Sequence, residues 1–274
     1  MDSISFDDFN IQSKPVATNK IELNFNIQHE TFILYRDLYL MLNNFLRENI
    51  VLKGNILLNT YLPNQARLTE DLDMGILSEE LYNSKVKPLL GNFGEYLIEN
   101  GKIDFYTIKE IEPRRSGGIE CKKGDTTVYS VDISLLEPLQ YSIDTTVVDG
   151  QECRVASVEK ILSDKIMSTL SRKRFRRVKD LFDLKIILDN IKEYDITKVV
   201  SIIKEKYTQE EIELLFNNHP FNDIVIENLH HAYKKLNITS FTHNEIDENF
   251  KPDFYEAIET VNIFVNDLKE NFYD

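Results

Sequence analysis

The chain has 274 residues, 42% of them hydrophobic, which is enough to bury a full core without disulfides. Its formal net charge of −14 argues against broad, non-specific nucleic-acid binding, which draws its free energy from phosphate neutralisation by Lys and Arg. The two cysteines, Cys121 and Cys153, form no Cys-x-x-Cys pair, and neither a basic-then-apolar leader nor a run near the ~18 apolar residues of a membrane span occurs. These features point to a reducing cytoplasm, with no membrane partner.

In chain order, residues 1–27 are mixed and polar and read as an irregular arm. From Thr31 to Asn49, Phe32, Tyr35, Leu38, Tyr39, Leu42 and Leu46 recur at helical spacing and predict a helix with a wide buried face. Ile50-Val51-Leu52 reads as a short buried strand. Lys53-Gly54-Asn55 breaks it before a helix that runs to Pro63, an order that frees backbone N–H groups for phosphate oxygens. The common outcome of such a junction is purely structural.

Arg67-Leu68-Thr69-Glu70-Asp71-Leu72-Asp73 follows. If Asp71 to Ile76 is a strand, period-2 geometry puts Asp71 and Asp73 on one face and Leu72 and Met74 on the other, in a core. Two adjacent carboxylates repel, and oxygen-only ligands favour a hard cation such as Mg²⁺, or Mn²⁺ in its place. Two solvated acids on an edge strand are the plainer alternative. A helix around Leu81 to Asn100, stopped by Asn100-Gly101, leads to three strand-like stretches, Lys102–Ile108, Gly118–Cys121 and Thr126–Leu135. Their turns are read at 114–118 and 122–125. A hairpin is expected over 147–155. The third strand alternates so that Ser130, Asp132 and Ser134 share a face, and Asp132 could complete an acidic triad. Asp104 competes for that role, and spacing alone does not decide between them.

From Ser157 the chain reads as helical almost to its end, with breaks near 194–195, 217–220 and 237–252. Ser157 fits an N-cap. Lys165 falls near the apolar side of its helix, where it could snorkel or could offer a fixed charge to a triphosphate. Asp180 and Asp183 lie three apart at the start of the next helix and share a face. Between them and Lys165, Arg172-Lys173-Arg174-Phe175-Arg176-Arg177-Val178-Lys179 places six basic residues in eight positions, although residues 181–274 hold 9 Lys and 19 acids. Such a block could contact the phosphates of an RNA, or could simply neutralise a helix end. The expected domains are the arm at 1–27, a mixed-sheet α/β domain at 28–155 and a helical domain at 156–274.

The order of these motifs resembles the nucleotidyltransferase AbiEii/AbiGii toxin family over about residues 50–190, with a similar terminal helix. The resemblance implies an α+β fold of the DNA polymerase β-like type, a mixed sheet with flanking helices followed by a helical C-terminal domain. It also implies a toxin of an abortive-infection, type IV toxin-antitoxin system, which transfers nucleotides from an NTP to RNA, in some members tRNA. The cognate antitoxin is a partner that can act without direct binding. Position by position, Asp71, Asp73 and Asp132 match metal ligands, the last better than Asp104 does, and Lys165, Asp180 and Asp183 match further catalytic positions. Lys53, Gly54, Asn55, Arg67 and Thr69 fall at nucleotide-binding positions, and Arg172, Lys173, Arg174, Arg176, Arg177 and Lys179 fall in the family's basic stretch, whose charge would contact an RNA acceptor. The chain departs from the family where Lys53-Gly54-Asn55-Ile56 replaces Lys-Gly-Gly-Thr or Gly-Ser. A phosphate-contacting hydroxyl is then missing unless Asn55 or Asn59 replaces it. Two other readings of the residues are transfer to a cationic small molecule and a non-catalytic binding module.

Overall fold

The structure, a computed structural model, describes residues 30–62, 71–111, 116–136, 139–148, 150–170, 178–216, 221–235 and 253–273. The chain divides into two compact units, one built from residues 1–63, 69–138 and 145–155 and the other from 64–68, 139–144 and 156–274. The arm at 1–27 lies outside the described residues.

The first unit is organised on a seven-stranded mixed sheet, in the order β3-β4-β5-β2-β1-β7-β6. Helix α1 (Glu30–Leu46) buries Leu34, Tyr35, Leu38, Tyr39 and Leu42, the face its spacing predicts. A tight turn then delivers β1 (Ile50–Lys53), whose Ile50, Val51 and Leu52 are fully buried. That run fits a strand covered on both faces. β2 (Leu72–Ile76) pairs antiparallel with β1, and β5 (Thr126–Leu135) pairs parallel with β2. β3 (Phe105–Ile111) and β4 (Ser116–Lys123) extend the sheet beyond β5 as an antiparallel meander. β6 (Ile143–Val148) and β7 (Gln151–Ala156) form the other flank, where β7 runs parallel to β1. The hairpin expected over 147–155 thus begins four residues earlier, at Ile143.

Helix α2 (Gly54–Tyr61) follows β1 directly. A one-turn helix α3 (Glu79–Leu81), a wide turn and α4 (Lys87–Glu99) link β2 to β3. The stop predicted at Asn100-Gly101 is present: Gly101 has φ +65°, and the Lys102 N–H closes on the Leu97 carbonyl at 2.9 Å. Helix α4 lies against β3. A Cβ added at Gly94 would come 2.5 Å from the Tyr106 ring, and one at Gly91 would lie 3.7 Å from Ile108 Cδ1. Tyr106 and Ile108 therefore face α4, and the alternate residues Phe105, Thr107 and Lys109 face away from it.

The second unit contains α5 (Val158–Leu170), α6 (Val178–Asn190), α7 (Ile196–Lys206), α8 (Gln209–Phe216), α9 (Asp223–Lys235) and α10 (Phe254–Tyr273). Ser157 caps α5, its hydroxyl accepting the Lys160 N–H at 3.0 Å. The break near 194–195 is likewise a cap, because Asp195 accepts the Thr197 N–H at 2.9 Å. A further break at Tyr207-Thr208 was not signalled by Gly or Pro. The breaks expected at 217–220 and 237–252 lie outside the described residues. Leu162, Ile166, Leu181, Leu184, Val199, Ile203, Val261 and Val265 form the helical core. Among the described residues no helix is long and apolar enough to cross a membrane.

Candidate active site

Strand registry builds the site. In β2, Leu72 and Met74 are fully buried while Asp73, and Asp71 just before the strand, are half-buried. Asp73 stands opposite Asp132 across the parallel β2–β5 ladder, and Lys53 stands opposite Asp73 across β1–β2. Beyond Asp132, Gly118 of β4 is its partner, and Lys109 of β3 is the partner of Gly118. One row across five strands therefore reads Lys53, Asp73, Asp132, Gly118, Lys109. Carboxylate oxygens of Asp71, Asp73 and Asp132 all lie within 4.8 Å of one another. An all-oxygen donor set this compact fits a hard divalent cation.

Asp104 is absent from this group. Its carboxylate accepts the Gly124 N–H at 2.6 Å and so closes the turn between β4 and β5. The competition between Asp104 and Asp132 is thus decided by pairing: β5 lies beside β2, and residue 104 precedes β3, away from it. Burial raises the Asp132 carboxyl above its ordinary range, with Asp71 and Glu120 adding to the shift and Lys109 and Lys53 opposing it.

Gly54 sits at φ +74° at the start of α2, and a Cβ there would fall 2.1 Å from Asp73 Oδ2. Only glycine allows the turn and the acid to approach this closely. The next residue, Asn55, is 4% exposed, and Ile56 is fully buried. The Asn55 side chain is therefore held inside the fold, a poor stand-in for a hydroxyl that meets solvent. The side chain of Asn59, and all of Arg67 and Thr69, lie outside the described residues.

Lys165, Asp180 and Asp183 converge in the helical unit. The Lys165 ammonium donates to Asp183 at 2.6 Å and to Asp180 at 3.3 Å, and the Ser168 hydroxyl donates to Asp180 at 2.9 Å. Lys165 is 9% exposed and Asp183 is fully buried. Snorkelling is overturned: paired acids on α6 hold the lysine inside, so its head has no need of water. Of the basic block, Lys179 is half-buried in α6. Arg172, Lys173, Arg174, Arg176 and Arg177 lie outside the described residues.

Two residues of the row were missed in the sequence. Gly118 read as the junction of a turn and a strand, but β4 begins at Ser116 and Gly118 lies within the strand. A Cβ there would sit 2.1 Å from the Val131 carbonyl oxygen and 2.9 Å from Asp132 Oδ1. Lys109 gave no signal, because its place depends on two successive long-range pairings. A glycine inside a strand is the cue that could have found Gly118, and Gly117 beside it gave the pair the look of a turn.

A mixed sheet that carries this acidic row beside a glycine turn and a helix start belongs to the nucleotidyltransferase class. Its shape matches JHP933 from Helicobacter pylori with a TM-score of 0.50 at 15% identity, over 91% of this chain and 94% of that one. A second H. pylori structure, assigned to the nucleotidyltransferases, gives 0.48 at 15% identity over 89% and 97%. An antigenic nucleotidyltransferase-like protein from Paracoccidioides brasiliensis gives 0.40 at 17% identity over 72% and 92%. No curated protein matches the chain in sequence. Residues 36–272 match the family described as nucleotidyl transferase AbiEii toxin, type IV TA system, and the chain belongs to that family. It is a nucleotidyltransferase.

Proposed function

We propose that the chain transfers nucleotides from an NTP to an RNA acceptor, a tRNA, as the toxin of an abortive-infection system. The observation that carries this reading is the convergence of Asp71, Asp73 and Asp132 within 4.8 Å beside the Gly54 turn. Mg²⁺ or Mn²⁺ bound by these carboxylates would polarise the triphosphate and lower the pKa of the attacking hydroxyl. Gly54 lets the first N–H groups of α2 approach phosphate oxygens, and Lys53 adds a positive charge at that end of the row. Asp132, farthest of the three from Gly54 in strand order, is suited to accept the proton of the acceptor hydroxyl. Lys165, oriented by Asp180 and Asp183, would neutralise phosphate charge. The block Arg172 to Lys179 supplies basic residues for RNA contacts, and Arg67 and Thr69 belong to the nucleotide-binding set. Action in the cytoplasm, and an antitoxin that acts without direct binding, complete the proposal.

The test is incubation with Mg²⁺, each labelled NTP and total tRNA. Label is expected on RNA with the wild-type chain and lost with Asp73→Asn. Equal labelling by both would overturn the assignment. A second reading, transfer to a cationic small molecule, is favoured by the acids that crowd residues 181–274, and label on a small molecule with none on RNA would decide for it.

A further inference from the structure

We infer that Lys109 is an acceptor-binding residue, placed to contact a backbone phosphate of the RNA whose hydroxyl is attacked beside Asp132. The inference rests on the RNA-acceptor reading above and gives that site its second edge. Lys109 is the partner of Gly118, and Gly118 is the partner of Asp132. With neighbouring strands about 4.8 Å apart, its Cα lies about 10 Å from that of Asp132. The residue between them, the buried Gly118, has no side chain of its own to stand between the lysine and the acids. Substitution at 118 would close the gap, since an added Cβ already crowds Asp132 Oδ1 at 2.9 Å.

The face is right as well. Tyr106 and Ile108 turn to α4, which leaves Phe105, Thr107 and Lys109 on the side that carries Asp73 and Asp132. That side is open at β3: Phe105 is 47% exposed, Thr107 is exposed and Lys109 is half-buried. A large acceptor can reach it.

The order of the row says which anion Lys109 meets. Gly54, with the N-terminus of α2 and Lys53, lies at the β1 end, where backbone N–H groups suit the triphosphate. Lys109 is four strands from Lys53, about 19 Å at ordinary strand spacing, beyond the reach of either side chain to a shared phosphate. Asp132 and Lys109 have opposite charges and attract, but a divalent cation held by the three carboxylates would offset most of that attraction. In the loaded site the lysine is thus left to serve a separate anion, on the far side of Asp132 from the triphosphate. That anion is a phosphate of the acceptor strand.

The experiment uses the full chain and its Lys109→Gln and Lys109→Arg variants. Binding of labelled total tRNA is followed by fluorescence anisotropy over a salt series without NTP, and KM is then measured separately for tRNA and for NTP. Lys109→Gln is expected to weaken tRNA binding severalfold and to reduce the log–log salt slope by about 1. It should raise KM for tRNA and leave KM for NTP unchanged, with Lys109→Arg near wild type on every measure. Unchanged tRNA affinity and slope in Lys109→Gln, or a rise in KM for NTP in place of tRNA, overturns the assignment of Lys109 while the acceptor reading stands. A wild-type chain that neither binds tRNA nor labels RNA overturns the acceptor reading itself, and this inference with it.

Discussion

In the helical unit, Asp180 and Asp183 close around a lysine, with Lys165 donating at 3.3 and 2.6 Å. In the sheet unit, Asp71, Asp73 and Asp132 face one another within 4.8 Å, and the lysines of the row stand at its two ends. Both groups are placed by regular structure, but their energetics differ in sign. In the first, the fully buried Asp183 is in direct contact with a cation, so its burial is tolerable and the loss of Lys165 is a loss of fold. The second gathers like charges where Leu72, Met74, Val131 and Ile133 supply the stability from the other side of the sheet. Like charges gathered this closely are where the proposed cation would bind.

The largest effect is expected at the triad. Asp73→Asn should lower nucleotide transfer on the order of 10²- to 10⁴-fold, the range spanned when a group acting on the reacting atoms is lost. Its thermal midpoint without divalent ions should hold or rise, because one of three like charges is gone. A fall in midpoint together with activity would show that the triad is a structural element. Lys165→Met should do the opposite first. It leaves the fully buried Asp183 without that cation and should cost about 3–5 kcal/mol of unfolding free energy, read by urea denaturation. Lys165→Met combined with Asp183→Leu should recover most of that loss. A double variant that regains stability and nucleotide transfer would mark Lys165 as structural. One that regains stability alone would keep the lysine in the chemistry.

Local periodicity made much of this contrast readable in the sequence. Asp71 and Asp73 share a face because strands have period 2, and Lys165 is inward because α5 repeats apolar residues at three and four. What local pattern could not carry was partnership. Asp104 and Asp132 both sit near strand-like stretches, and their difference is which strand lies beside β2, a pairing between residues about 60 apart in the chain. Lys165 could be read either as snorkelling or as a fixed charge because its two acids arrive from a different helix. Gly118 read as a glycine where a turn meets a strand, because the reason for glycine there, the closeness of Val131 and Asp132, exists only in the assembled sheet.

The glycines test how tightly the row is built. Gly54→Ala forces a Cβ to 2.1 Å from Asp73 Oδ2 at φ +74°, and a strain of about 1–3 kcal/mol is expected. Gly118→Ala meets a backbone oxygen at 2.1 Å, and crowding of this kind typically costs about 1–3 kcal/mol. Both should also depress transfer, Gly54→Ala through NTP and Gly118→Ala through the acceptor. Steady-state KM values for the two substrates separate them. If both variants raised KM for NTP alone, the two ends of the row would not be distinct.

The smallest effect compares single acids by pH. In the helical unit the Asp164 carboxylate accepts from Lys160 and, at 2.9 Å, from Lys206, and its side chain is 42% exposed. Burial would raise this carboxyl, but the charges and hydrogen bonds of the two lysines overcome it and hold it below its ordinary 3.8. A depressed acid stabilises the fold above its ordinary value and loses that contribution as pH falls through the folded one. For Lys206, burial opposes a rise that the Asp164 charge drives, so its part is present below 10.5 and is lost only as pH climbs through its raised value. Asp164→Asn should therefore cost about 0.5–1 kcal/mol on a plateau between those limits, after allowance for solvent screening. Asp132 has the reverse sign. Its raised carboxyl means that the folded chain, without divalent ions, loses stability as pH rises above 3.8, so Asp132→Asn should gain on the wild type across that window. Urea midpoints measured from acid to neutral pH should show the two differences running in opposite directions, and parallel curves for both variants would erase the distinction between an acid held by lysines and one crowded by other acids.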